Sequence, residues 1–349
     1  MRRFTATLAA LLLLAGVTAQ AQVFSVSLKS GNKLFFNIVD NAAKTVEIAQ
    51  PGSMIGLSLG LPKGSLEIPA SVTYKDTSYQ VVSICEKAFA QAEELTFVSI
   101  PSTVKEIGAH AFSGCSSLEG IVFPASEPTI GNAAFEGCKS LKDLSFGSDW
   151  KTVNFSLFSD SVAITSVFIP ARVVRISGVK LMTSLDQIQV DPLNPAFSSV
   201  DGILYSRDGK ALYACPCART GRLAVPEGVE RIQEGAFNGC AALTSVTLPS
   251  TAHAFTCLDF VQCSSLTELV ILSEIPPVTA KWNGAPVFAI RKPCDAFKVR
   301  VPAKNYARYQ AAVCNKEGEY ETMDGKKKET FPQEGFLDKK DILKIKASR

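Results

Sequence analysis

The chain repeats itself every 23 residues, and that period decides what it can fold into. Phe89, Phe112 and Phe135 are spaced by it, the next steps reach Phe158 and Leu181, and Phe237 and Phe260 restart the series. Other columns keep the same register: Val98, Ile121, Leu144, Val167 and Val190; Leu95, Leu118, Leu141 and Ile164; Ile107, Ile130, Val153 and Ile176. Cys115 and Cys138, then Cys240 and Cys263, form a further column. A 23-residue coil cannot bury its own apolar face, so coils must stack. The expected fold is a solenoid of short parallel β-strands, one per coil, joined by single helical turns.

Each position of the unit Ile-x-x-x-Ala-Phe-x-Gly-Cys-x-x-Leu-x-x-Val-x-Ile-Pro has a physical reading. The alternation ending at Ile121 and Phe123 is a strand with one buried face. Pro124 ends it because proline has no N–H for a ladder, and Pro101, Pro170 and Pro249 do the same. Gly114-Cys115, Gly137-Cys138 and Gly239-Cys240 mark a sharp turn into the strand. Ala111-Phe112 and its copies suit one helical turn, with the Phe column as a buried spine. The cysteines of the shared column point inward in parallel, which predicts free thiols bonded to backbone rather than disulfides.

The run I-P-S-T-V-K-E-I-G-A-H-A-F-S-G-C-S-S-L from Ile100 to Leu118 closely resembles the BspA-like leucine-rich repeats of bacterial surface and secreted proteins. The resemblance covers roughly residues 66–312. Asn194-Pro195-Ala196-Phe197 followed by Asp201-Gly202-Ile203-Leu204-Tyr205 is also similar to that family, where it forms a hairpin inserted between coils. The residues agree: Asp208-Gly209 between two apolar triplets is a hairpin signal. The resemblance implies protein–protein interaction or adhesion, no catalysis and no cofactor. The coil around Leu181 lacks Ala-Phe. Phe255 falls in the Ile107 column, leaving Phe260 to the spine. After Ile275 the pattern drifts, with Val287-Phe288 as a spine copy and Phe297-x-Val299-x-Val301-Pro302 as a final strand.

The ends read differently. Met1-Arg2-Arg3, an apolar run from Leu8 to Val17 and Ala19-Gln20-Ala21 have the pattern of a secretory signal over residues 1–21. The run is too short to span a bilayer. These features predict an exported chain without a transmembrane segment: extracellular, at the cell surface or periplasmic. Residues 22–82 alternate as a β cap, with Leu34, Phe36 and Ile38 facing Val46 and Ile48 across Asp40-Asn41. The solenoid is expected over 83–312 with an inserted hairpin at about 194–225. Residues 313–349, with Lys326-Lys327-Lys328 among interleaved acids, read as a charged, solvated tail that is partly disordered.

The chemistry is sparse. Lys and Arg number 36 against 33 Asp and Glu, a formal charge of +3, so nothing favours nucleic acid. Two histidines among 349 residues leave few metal ligands or general bases, and no metal site is expected. Cys215-Pro216-Cys217 has too short a spacer for a CxxC motif. Cys294 and Cys314 are the best disulfide pair, and Cys85 and Cys257 read as core. Cys257 with His253 raises a thiol hydrolase, but no orienting group or oxyanion hole accompanies them; the chain is read as a non-enzyme.

What remains is surface. The residues flanking each buried strand centre point outward onto the concave face. They are Phe97 and Ser99, Gly120 and Val122, Asp143 and Ser145, Ser166 and Phe168, Gln189 and Asp191, then Ser245, Thr247, Glu268 and Val270. Phe97, Val122 and Phe168 are the apolar members, as in a contact patch. The expected partner is a protein of the host matrix or the envelope, or a glycan; the alternative is a structural envelope component. Oligomeric state is left open.

Overall fold

A computed structural model describes residues 23–50, 60–158, 161, 163–179, 182–256, 259–277, 280–282, 285–287, 290, 292–313, 318–321, 328–331 and 337–345. The proposed signal, Leu181, Cys257, Phe288 and Cys314 lie outside these residues. The chain divides into two compact units, residues 1–138 and 139–349.

In the first unit, Val23–Ser27, Lys33–Asp40 and Thr45–Ile48 form an antiparallel meander with Ile38 opposite Val46. Asp40 turns the chain by accepting the N–H groups of Ala42 and Ala43 at 2.7 and 2.9 Å. Ser71–Tyr74 and Thr77–Ile84 form a hairpin through Lys75 and Asp76, both at positive φ. Thr77–Ile84 also pairs in parallel with Thr45–Ile48, which joins the cap to the repeat.

Two parallel ladders run through this unit. One consists of Gly64–Glu67, Leu95–Ser99 and Gly120–Val122, with Leu66, Val98 and Ile121 in register and buried. The stack therefore begins at Gly64, before the expected boundary at 83. The other consists of Thr77–Ile84, Glu106–Ile107 and Thr129–Ile130. The coils thus carry a second short strand at the Ile107 column, and in two of them, at Ile107 and Ile130, a Gly follows. The reason for that Gly is proximity: a Cβ on Gly108 would lie 2.5 Å from Glu86 N, and one on Gly131 2.4 Å from Ala109 N.

Between the ladders the chain makes successive three-residue turns rather than a regular helix. Phe89 N–H donates to Ala111 O and Phe112 N–H to Ala134 O, both at 2.8 Å, so the turns are also bonded coil to coil. The spine rings stack, Phe89 on Phe112 at 5.1 Å and Phe112 on Phe135 at 5.4 Å between centroids.

The second unit repeats the plan. Phe158, Phe237, Phe260 and Phe255 are buried, and Phe237 stacks on Phe260 at 5.3 Å. Arg231 bridges Ala254 and Ile232 N–H donates to Ala254 O, which keeps Phe255 in the Ile107 column. Ser166–Ile169 pairs with Gln187–Val190 so that Val167 faces Ile188. The buried centre of that strand is therefore Ile188, not Val190, because this coil is two residues short. Its outward residues are Gln187 and Gln189 in place of Gln189 and Asp191.

The insertion is narrower than 194–225. Asn194 starts it: its buried amide donates to Pro170 O and Val173 O, both at 2.8 Å, and accepts from Ala196 N and Phe197 N. Phe197–Val200 pairs antiparallel with Ile203–Ser206, which in turn pairs antiparallel with Ala211–Ala214 across the Asp208-Gly209 turn, the hairpin expected from the sequence. Ala211–Ala214 already rejoins the stack by pairing in parallel with Arg231–Ile232. Cys215 then stands in a spine place, its N–H on Ala236 O at 2.7 Å as Phe89 N–H is on Ala111 O.

The outward ladder continues through Gly221–Ala224, Leu243–Leu248, Glu268–Ile271 and Lys298–Val301, and ends on Ile342–Lys344. Residues 337–345 therefore correct the expectation of a solvated tail. Leu337 and Ile342 are buried, and the buried Asp341 carboxylate is paired with Lys298 and, at 3.5 Å, with Lys292. The sequence hid this strand because 40 residues separate Val301 from Asp341.

Candidate interaction surface

Side chains alternate across a strand, so burying Val98 and Ile121 turns Phe97, Ser99 and Val122 outward. Phe97 is 37% exposed and Val122 36%. Phe97 lies opposite Gly120 and Ser99 opposite Val122, so the two apolar side chains are diagonal neighbours over a glycine. Ser65 and Glu67 extend the two rows.

In the second unit Asp143, Ser145 and Ser166 are exposed, and Phe168 is 46% exposed opposite Gln189. Glu268 is different. It is half-buried, forms an ion pair with Arg300, and accepts from Ser245 Oγ at 3.4 Å. It is engaged within its own sheet. Val174 (46% exposed) and Tyr213 (38%) are outlying apolar groups that the strand pattern did not single out; neither lies on an outward-ladder strand.

The candidate chemistry resolves toward structure. Cys115 Sγ donates to Phe89 O at 3.2 Å, Cys138 Sγ to Phe112 O at 3.3 Å and Cys263 Sγ to Phe237 O at 3.0 Å. Cys85, Cys115, Cys138, Cys215, Cys217, Cys240, Cys263 and Cys294 are free thiols. Burial pushes Cys263 up to about 12, and burial with the nearby Glu47 charge pushes Cys85 up to about 11. Such thiols are poor nucleophiles. His253 is exposed, its Nδ1 3.1 Å from Thr251 O, and its suggested partner Cys257 lies outside the described residues. His110 Nδ1 is 3.4 Å from Glu136 Oε2 at a turn. Cys294 Sγ donates to Leu266 O at 3.3 Å, and its suggested partner Cys314 is outside the described residues. Among the described residues no cluster of three or more His, Cys, Asp or Glu has metal-site geometry, and no helix is long and apolar enough to cross a membrane.

One buried group stands apart. Asp259 occupies the place held elsewhere by Ala88, Ala111, Ala134 and Ala236. Its carboxylate accepts from Thr256 N at 2.6 Å, Thr256 Oγ1 at 2.7 Å and Gly235 N at 2.7 Å. Burial nonetheless pushes it up to about 7.

The sequence pattern of the BspA type Leucine rich repeat region matches in six copies over residues 68–183 and 210–280, more than half of the chain. The chain belongs to the BspA-type leucine-rich repeat family. Among solved structures, it is similar to the pneumococcal vaccine antigen PcpA, at 16% identity over 93% of this chain and 99% of that one, with a TM-score of 0.51. A leucine-rich cell surface protein of Faecalibacterium prausnitzii matches at 23% identity over 80% of this chain and 89% of that one (TM-score 0.44). A leucine-rich repeat protein of Bacteroides ovatus matches at 22% identity over 81% and 76% (TM-score 0.46). No curated protein matches.

Proposed function

We propose that this BspA-type repeat chain is an exported, non-catalytic interaction module that binds a protein through the outward strand faces of its two units. The observation that carries the reading is the exposure of Phe97, Val122 and Phe168 on strands whose other outward residues are small or polar. An aromatic side chain left in water beside Gly120 or Gln189 gains when a partner covers it, by about 25 cal/mol per Å² of apolar surface. Ser99, Asp143, Ser145 and Ser166 supply the polar rim. Glu268, already paired with Arg300, is a weaker contributor. A protein of the host matrix or the cell envelope fits such a face, and a glycan would stack on the same aromatics. The signal-like residues 1–21 support export, to the cell surface, the medium or a periplasm.

The test is capture from matrix and envelope extracts with the chain from Gln22 onward, compared with a Phe97→Asp, Phe168→Asp variant. Loss of a captured protein on double substitution supports the reading. A thiol hydrolase is tested apart, by turnover and thiol-probe labelling of Cys257→Ala and His253→Ala variants. Following retention of the full chain on cell envelopes through high-salt and detergent washes tests a structural envelope role.

A further inference from the structure

Within the second unit, one edge of the second ladder has no partner strand among the described residues. Where this ladder is paired, the carbonyl of the column residue accepts an N–H from the following coil: Gly108 N–H on Ile84 O, Gly131 N–H on Ile107 O and Gln233 N–H on Leu212 O, all at 2.8 Å. Ile176 stands in the same column. Its strand, Arg175–Ser177, pairs on one side with Thr152–Asn154, and Arg175 N–H donates to Lys151 O there. Successive residues of a parallel strand bond to opposite sides, so the N–H and C=O of Ile176 face the other edge. The chain that would supply the next strand departs into the Phe197–Val200 and Ile203–Ser206 hairpin instead. Among the described residues no strand pairs with this edge.

The gap is open. A groove of about 540 Å³ runs along the edge, between Asn154, Val174, Arg175 and Ile176 and the rings of Phe197 and Tyr213. It continues past Ser177 and Tyr213 to Gln233, Glu234 and Gly235, so the carboxylate of an occupant belongs at the Arg175 end of the groove. Tyr213 is held edge-on against Phe197, at 5.1 Å and 90°, leaving its ring exposed to the groove. Arg175 is exposed, and among the described residues its guanidinium has no ion pair.

We propose that this edge takes up an extended, acidic peptide segment of a partner protein as an added β-strand. The occupant follows from the groups present. A backbone donor and acceptor side by side on a strand edge are matched by another backbone. Val174 and Tyr213 offer apolar contact to its side chains, and the unpaired Arg175 cation calls for a carboxylate. This site is separate from the outward strand face proposed above and does not depend on it.

A display library of random peptides of about twelve residues, selected on the chain from Gln22 onward, tests the proposal. Selected peptides should carry Asp or Glu and slow hydrogen exchange at the Ile176 amide. They should bind about tenfold more weakly to Arg175→Glu and to Tyr213→Ala, two surface changes whose circular dichroism should match the parent. Failure to select acidic peptides, binding unmoved by both substitutions, or protection confined to the Leu95–Ser99 and Ser166–Ile169 strands would overturn it. A concentration-dependent dimer abolished by Arg175→Glu would also overturn it, assigning the edge to a second copy of the chain.

Discussion

Cys115 Sγ donates to the backbone carbonyl of Phe89, 26 residues earlier and 3.2 Å away. The same bond joins Cys138 to Phe112 and Cys263 to Phe237. The thiol is small enough for the inside of the turn and ties each coil to the spine residue of the one before it. Cys115→Ala should therefore cost about 1 kcal/mol for the lost bond, plus the cost of the space left by sulfur. Phe112→Ala should cost on the order of 3–5 kcal/mol, because it removes a ring stacked on two neighbours. Urea midpoints of the two variants check the order, with Phe112→Ala much the lower.

The same thiols should be silent in the native state. Cys115, Cys138 and Cys263 have no exposed surface, and only the thiolate reacts. Iodoacetamide at pH 8 followed by peptide mass mapping should leave these three unmodified, and denaturant should expose them all. Rapid native labelling of any of them would contradict the packing described.

Gly108→Ala and Gly131→Ala test the close approach of the second ladder. The added Cβ meets backbone atoms of the preceding coil at 2.5 and 2.4 Å, and backbone cannot rotate away as a side chain would. Each should lose roughly 1–3 kcal/mol. Gly60→Ala serves as the control, since Gly60, like Gly108 and Gly131, is not at positive φ and a Cβ there meets nothing within 4 Å.

Asp259 gives stability a pH dependence of its own. Its carboxyl is raised from 3.8 to about 7 in the folded chain. The folded state then holds a proton that the unfolded chain releases, so this contribution is fully present below about pH 4. It is lost as pH rises through about 7. Asp259→Ala, which restores the residue that other coils carry, should flatten this part of the curve of denaturation midpoint against pH. An unchanged slope would assign it to other groups.

The period made the spine legible. Phe89, Phe112, Phe135, Phe237 and Phe260 all fall where 23-residue spacing puts them, since one bulky ring per coil is required wherever coils stack. Ile188 was not legible: two deleted residues move the strand centre without disturbing its apolar alternation, and Val190 fits the count equally well. Glu106–Ile107 and its copies Thr129–Ile130, Thr152–Asn154, Arg175–Ser177 and Arg231–Ile232 are strands of two or three residues, too short for a period-2 signal. Ile342–Lys344 pairs across a long excursion, so no local pattern announces it. The outward places of Phe97, Val122 and Phe168 follow from alternation alone. The engagement of Glu268 by Arg300 does not, because it depends on which strand lies alongside. The open edge at Ile176 was invisible for the same reason: it is defined by a strand that goes elsewhere.

Binding through Phe97 and Phe168 is decided by quantitative capture with the parent chain and with Phe97→Asp, Phe168→Asp, from the same extracts, with equal melting temperatures verified first. At least one protein should be bound by the parent and depleted about tenfold or more in the double variant. Identical capture profiles from two equally folded proteins would contradict it, and the outward strand face would not be the binding site.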